Sequence, residues 1–226
     1  GNGKIAMKLD EGDHIAVVEI CSESDDVLLS TRGGKAIRFP VTEVRVFKGR
    51  DSTGERGVKL ADVDELISLG IMRHVEATPA EARAYLKQVA LARRTDGDED
   101  AADETAAADD GEEIVDEATL PPERFGELAA AEEFLQSVTD RGFGKRTSAY
   151  AYPGRGRGGQ GVKAISRPER VGQVLSVLTV ADSDELMMVT DKGQTIRLPV
   201  AQISFQGRAS NGVILFRTDG AERVVS

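Results

Sequence analysis

Three arginines, Arg38, Arg146 and Arg197, each stand four residues after a turn-type glycine, Gly34, Gly142 and Gly193. Other cations recur around them. Lys35, Lys145 and Lys192 lie near the turn, Arg50, Arg155, Arg157 and Arg208 in the loop that follows, and Lys163 close behind. A curved row of guanidinium and ammonium groups fits a phosphate backbone, because each neutralised phosphate releases condensed counterions. The loop from Gly154 to Gly161 adds glycines whose backbone N–H groups can approach phosphates closely. No base-reading helix or aromatic stacking platform accompanies these cations, so weakly sequence-specific DNA binding is expected. Taken singly, each cation reads better as a solvated strand face. The repeated set is what carries the nucleic-acid reading.

Enzyme chemistry finds little support in the same residues. The chain has two histidines and one cysteine. His14 opens an apolar run and His74 follows Arg73, and both read as structural. Cys21 follows an apolar strand pattern with no adjacent base to lower its pKa, so it reads as a packing residue. The acidic residues lack the spacing and central glycine of a calcium loop. The glycines of 154–161 lack the Gly-Lys-Ser/Thr ending of a nucleotide-binding loop. No catalytic or metal-binding residue is assigned.

The cations must be positioned by a repeated β unit. Thr31 to Val58, Thr139 to Val162 and Thr190 to Val213 each read as strand, tight turn, strand, basic loop, strand. Arg32-Gly33-Gly34-Lys35 supplies the positive-φ positions of a hairpin turn, and Pro40 ends the returning strand because it cannot donate to a ladder. Strands are expected at 4–9, 14–20, 26–31, 36–39, 57–60, 65–72, 134–138, 174–180, 185–190, 196–198, 202–205, 212–216 and from 222. Thr78-Pro79-Ala80-Glu81 is a capping box with proline at the first helical position, which predicts a helix over 79–94; a shorter one is expected near 123–132. The fold class expected is all-β: a propeller-like array of four-stranded blades forming an incomplete ring, interrupted by one helical and acidic insertion. The organisation is blades over 1–76, insertion over 77–130, and blades over 131–226.

Charge is segregated along this plan. The formal net charge of −10 over 226 residues hides twelve Asp or Glu, and no Lys or Arg, within 95–118. Outside that stretch 29 cations face 27 acids, and 141–175 holds eight Lys or Arg against one Glu. The acidic run is too poor in apolar residues to offset its ordering entropy and is expected to be disordered. It also reads as an internal polyanion competing for the basic residues, or as a solvated linker. A single cysteine fits a reducing compartment. No apolar run of about 18 residues is present, so no membrane span is expected. The chain lacks an initial Met, and Gly3-Lys4-Ile5 resembles the tail of a repeat such as Gly57-Val58-Lys59, so it is expected to be a piece of a longer protein.

At these residues the chain resembles the C-terminal domain of DNA gyrase A subunits. The three repeats match that family's blade motif. Gly142-Phe143-Gly144-Lys145-Arg146-Thr147, and Gly207-Arg208 with Asn211-Gly212-Val213-Ile214-Leu215, are particularly close. The resemblance covers residues 1–76 and 131–226 and leaves out the insertion. It implies a β-pinwheel whose neighbouring blades exchange strands and whose basic rim wraps double-stranded DNA. The family's box, Gln-Arg-Arg-Gly-Gly-Lys-Gly, belongs to a first blade upstream of Gly1; Arg157-Gly158-Gly159-Gln160-Gly161 resembles a degraded copy. None of Tyr85, Tyr150 or Tyr152 matches the context of the family's DNA-cleaving tyrosine. The implied role is thus a non-catalytic, cofactor-free piece of an A2B2 gyrase holoenzyme built from A and B subunits, in which ATP and Mg act elsewhere, in the bacterial cytoplasm at the nucleoid. The related topoisomerase IV domain, and a protein-interaction propeller, remain as alternatives.

Overall fold

The computed structural model describes residues 3–95 and 119–226, with the backbone alone for Arg94 and Thr95. The expectations for the acidic run therefore lie outside the described residues. Three antiparallel hairpins organise the chain: β1 (Asp25–Thr31) with β2 (Lys35–Pro40), β4 (Phe134–Thr139) with β5 (Phe143–Ser148), and β8 (Glu185–Val189) with β9 (Thr195–Pro199). Each turns at a positive-φ glycine, Gly34, Gly142 or Gly193, with φ of 76–83°, a region that side chains with a Cβ rarely adopt.

Each of the first two hairpins is completed from both sides. β3 (Leu66–Arg73) and β7 (Val174–Val180) pair with the first strand of the hairpin before them. β6 (Val162–Lys163) and β10 (Val213–Ile214) come from the following repeat and pair with the second strand. The sheet orders are β3-β1-β2-β6 and β10-β5-β4-β7, so neighbouring units exchange strands. Because sheets also stack face to face, β1 and β4 are buried almost throughout, as strands covered on both faces must be. Leu28, Ala36, Met72, Leu135, Val171 and Val177 form part of one core between the first two units. Leu186, Met188, Val200 and Ile203 form another beneath the third hairpin, with Val138.

Buried threonines close the three turns. Thr31, Thr139 and Thr190 each accept the backbone N–H of the residue four positions on, at 3.2 Å in every case. Their hydroxyls donate outward to Asp64, the Val171 carbonyl and Glu222 respectively. These threonines open each repeat in the sequence, but only the structure gives them a role.

Several expected strands are absent. Residues 4–9 and 14–20 are not strands, and Val18 and Ile20 are 77% and 94% exposed. Residues 57–60 form no strand either, although Lys59 N–H donates to the Gly159 carbonyl at 2.8 Å. The cause is pairing. β3 and β7 zip onto a preceding hairpin and β6 and β10 onto the hairpin of the preceding repeat, and no hairpin precedes Asp25 among the described residues. The expected strand at 202–205 is instead a 3-10 turn, Val200–Gln202, followed by one parallel bridge between Phe205 and Arg146.

The insertion forms α1 (Pro79–Thr95) and α2 (Pro122–Ala131). The capping box is made: Thr78 Oγ1 accepts the Glu81 N–H at 3.2 Å, while Glu81 accepts the Thr78 N–H at 2.8 Å. The Thr78 backbone bond, then the Arg124 and Thr78 side chains, hold the Glu81 carboxyl at about 2. A four-residue helix, α3 (Pro168–Val171), lies before β7.

Candidate nucleic-acid interface

The repeated arginine stands on the second strand of each hairpin, and the structure corrects the expectation of an exposed row. Arg38 is 7% exposed and Arg146 5%. Arg38 Nε donates to Asp26 Oδ2 at 2.7 Å, and its Nη1 donates to the Ala149 carbonyl at 2.9 Å, in the 3-10 turn Ala149–Ala151 of the next unit. Arg146 Nε donates to the Ile203 carbonyl at 3.0 Å, its Nη1 pairs with Asp182, and the guanidinium lies 3.7 Å from the centroid of the Phe205 ring. Both staple one unit to the next. Arg197 holds the same place on β9 and pairs with Glu185, yet its side chain stays 65% exposed, since no following unit covers it among the described residues.

Other expected contacts are also structural. Lys145 is 1% exposed, and its ammonium donates to the carbonyls of Gly207, Arg208 and Ser210 at 3.0, 2.5 and 2.8 Å. Register explains why it does not match Lys35 and Lys192. Lys35 follows its turn glycine by one residue, Lys145 by three, and Lys192 precedes its glycine. Arg208 is buried, donating to the Ala151 and Lys163 carbonyls. Arg157 is half-buried, donating to Glu43 and pairing with Glu55 at 3.3 Å. The glycine loop is stitched to the first unit: the Arg155 N–H donates to the Arg38 carbonyl at 2.8 Å and the Gly158 N–H to the Gly57 carbonyl at 2.6 Å. These donors are therefore not offered to a phosphate. A recess of about 320 Å³ remains beside the loop, lined by Ile37, Arg155 and glycines of 156–161.

Lys35, Arg50, Arg155, Lys163, Lys192 and Arg197 keep exposed side chains. Lys35 and Lys163 are direct cross-strand partners on β2 and β6. Like charges placed opposite one another repel, so this ladder gains from a bound anion. The chain after Lys163 then runs along the hairpin turns. Ala164 N–H donates to the Gly34 carbonyl at 2.8 Å and Val174 N–H to the Arg32 carbonyl at 3.0 Å. Arg141 Nη1 donates to the carbonyls of Glu169 and Arg170 at 3.1 and 3.0 Å. Val224 N–H donates to the Asp140 carbonyl at 2.8 Å and Asp191 N–H to the Arg223 carbonyl at 2.9 Å, tying the second turn to the third. Arg32, Arg141, Arg167 and Arg170 are exposed on this edge. Arg141 holds the place of Lys192, directly before the turn glycine, whereas the repeat does not single out Arg32, Arg167 or Arg170, which have no counterpart at a fixed distance from that glycine. The excess of eight cations over one acid in 141–175 is the signal that points to Arg141, Arg167 and Arg170.

The minor candidates resolve as well. Cys21 and His14 are exposed rather than packed, because the strand meant to bury them does not form. His74 Nδ1 lies 2.8 Å from Asp26 Oδ1, and Nε2 3.3 Å from Glu76 Oε1. The bond to Asp26 raises the His74 pKa above its ordinary 6.5, against an opposing contribution from burial. A raised folded value gives stability that is complete below pH 6.5 and is lost as pH rises through the folded value. The melting temperature of the wild type is thus expected to fall relative to His74→Gln across that window; parallel pH profiles would contradict the assignment.

A family profile described as "DNA gyrase C-terminal domain, beta-propeller" matches residues 1–22, 25–71, 137–181 and 184–226, leaving 72–136 unmatched. The chain is 50% identical over 230 residues to the DNA gyrase A subunit of Granulibacter bethesdensis, and 40% identical over 233 residues to that of Rickettsia bellii. Both alignments take in 100% of this chain and 24% of the relative. The DNA gyrase A subunit of Salmonella typhimurium is 34% identical over 223 residues, with 99% of this chain and 19% of the relative covered. The chain therefore spans about a quarter, or less, of the length of these relatives. Among solved structures, a DNA gyrase A C-terminal domain superposes with a TM-score of 0.66 at 19% identity, covering 99% of this chain and 57% of that one. The C-terminal domain of DNA topoisomerase IV superposes at 0.67 and 18% identity, covering 98% and 51%. At these identities the two structures establish the shared β-pinwheel fold alone.

Proposed function

This chain belongs to the DNA gyrase C-terminal domain family, and from that premise we propose that it binds duplex DNA along its hairpin-turn edge and wraps it. The observation that carries the reading is the edge itself. Exposed cations stand at the turns of three successive units (Arg32 and Lys35, Arg141, Lys192); the segment holding Lys163, Arg167 and Arg170 joins the first turn to the second, and Arg223–Val224 joins the second to the third. Phosphate contacts on such an edge fix position without reading bases. Bending 20–30 base pairs by 40–90° costs about 1–6 kcal/mol, which counterion release along the track offsets. A wrap of fixed hand would present a DNA crossing to the cleavage core of a gyrase holoenzyme. It would so support ATP-dependent negative supercoiling by the assembled A and B subunits.

The proposed role is non-catalytic. All three tyrosines are buried, and burial pushes Tyr150 and Tyr152 up to about 12, away from the ionised form a nucleophile needs. No cofactor is proposed for this chain. Action at the cytoplasmic nucleoid belongs to the same reading; no helix among the described residues is long and apolar enough to cross a membrane.

Duplex affinity measured against salt tests the reading. Five or so phosphate contacts predict a log–log slope of about −4 to −5, and Lys35→Glu with Lys163→Glu should flatten it by about 2. Binding that ignores salt would overturn the proposal. Relaxed circular DNA closed by ligase separates wrapping from plain binding: a protein-interaction propeller with solubilising rim charges would trap no linking difference at any protein ratio.

A further inference from the structure

The helical insertion lies outside the family's matched residues, yet it touches all three hairpin units. At the first, Arg124 of α2 donates from Nη2 to the carbonyl of Glu76, where that unit ends, at 2.6 Å. At the second, Tyr85 packs edge-on to Tyr150 with centroids 5.2 Å apart, and the Tyr150 hydroxyl donates to the Leu128 carbonyl at 2.8 Å. Tyr85 in turn donates to Glu132 at 2.7 Å. At the third, the Arg93 guanidinium lies 3.8 Å from the Phe205 centroid, and Arg146 approaches the same ring to 3.7 Å. The seam between α1 and the second and third units holds a void of only about 20 Å³, lined in part by Leu86, Val89, Arg93, Ser148 and Phe205, near the size of one water.

We propose that the α1–α2 insertion is a brace that fixes the angle between successive units, and that Arg93 on Phe205 is its positioning contact on the third. Phe205 is the right anchor. Its backbone bridges to Arg146 of the second unit, its ring stacks edge-on with Phe134 at 5.0 Å, and it sits within the inter-unit bonds Arg146 N–H to Ser204 and Gln206 N–H to Arg146, at 3.2 and 2.8 Å. A cation docked over that ring ties the end of α1 to the joint about which the third unit would tilt. Since the exposed cations follow the turns of these units, the joint angle sets the curvature of the track. The functional consequence rests on the wrapping proposed above; the brace itself does not.

Arg93→Ala and Arg93→Lys, the latter retaining a cation over the ring, test this in the full-length protein that carries the chain. Without DNA, amide exchange at Arg146 and Gln206 is expected to quicken by about tenfold in Arg93→Ala and to stay near wild type in Arg93→Lys, a cation–aromatic contact being worth about that much in local opening. Unchanged protection in Arg93→Ala overturns the brace, whatever the DNA result. With DNA, Arg93→Ala should keep its affinity for a short straight duplex within about twofold while the linking difference trapped per protein falls by about half. Loss of short-duplex affinity would make Arg93 a direct DNA contact and overturn its positioning role. A wild type that binds but traps no linking difference would sink the wrapping reading, leaving the brace to stand or fall on the exchange result.

Discussion

Replacing Arg38 with leucine is expected to lower the unfolding free energy by about 3–5 kcal/mol, whereas the same change at Arg197 costs about 1 kcal/mol or less. The two residues occupy the same position in the repeat. Arg38 is buried between Asp26 and the Ala149 carbonyl of the next unit, so its removal strands one oxygen of a 4% exposed carboxylate and opens a carbonyl to nothing. His74 still holds the other oxygen of Asp26, and the loss should therefore be smaller below pH 6.5, where the imidazole is charged. Arg197 and Glu185 form a pair with 65% and 44% exposed side chains, which water screens. Urea unfolding of both variants measures the contrast. Equal losses would mean that the repeat position, and not its burial, sets the energy. DNA affinity of folded Arg38→Leu should match wild type, since a group inside the joint contacts no phosphate.

The second large effect is expected at Lys145. Its ammonium is enclosed by three carbonyls of the loop 207–210, and methionine would fill the volume without supplying a donor. Each carbonyl left buried and unmet costs about 1–3 kcal/mol, and some will recover water as the loop loosens, so a net loss of about 3–5 kcal/mol is expected. The midpoint of urea unfolding should fall accordingly, and protease cutting near Gly207–Ser210 should appear before global unfolding. A methionine variant as stable as wild type would show that the loop re-forms its bonds without the lysine. A glutamate at exposed Lys35, by contrast, should leave stability nearly unchanged while weakening DNA binding. Together these variants divide the cations into those that join the units and those that face outward.

The helix α1 was legible because its signals are local: a capping box, a proline at the first position and an apolar face, all within one stretch. The tight turns were legible for the same reason, because each needs a residue that accepts positive φ and each supplies a glycine there. Strand exchange could be anticipated only through family resemblance, since β6 and β10 are two residues each and carry no periodicity of their own. His14–Ile20 misled for the converse reason. It has the composition of a buried strand, but a strand exists only when another edge receives its hydrogen bonds.

By itself, then, the amino-acid sequence determined the repeat, the positions of the turns, the order of the hairpins and the presence of a cationic set, because these depend on backbone preferences and spacings within some twenty residues. Only the tertiary structure decided which cations face solvent. Arg38, Arg146 and Arg197 are indistinguishable in register, and their fates diverge because two are covered by the following unit and the third is not. Exposure is a property of what stacks on a residue, and the stacking partner lies tens to more than a hundred residues away along the chain.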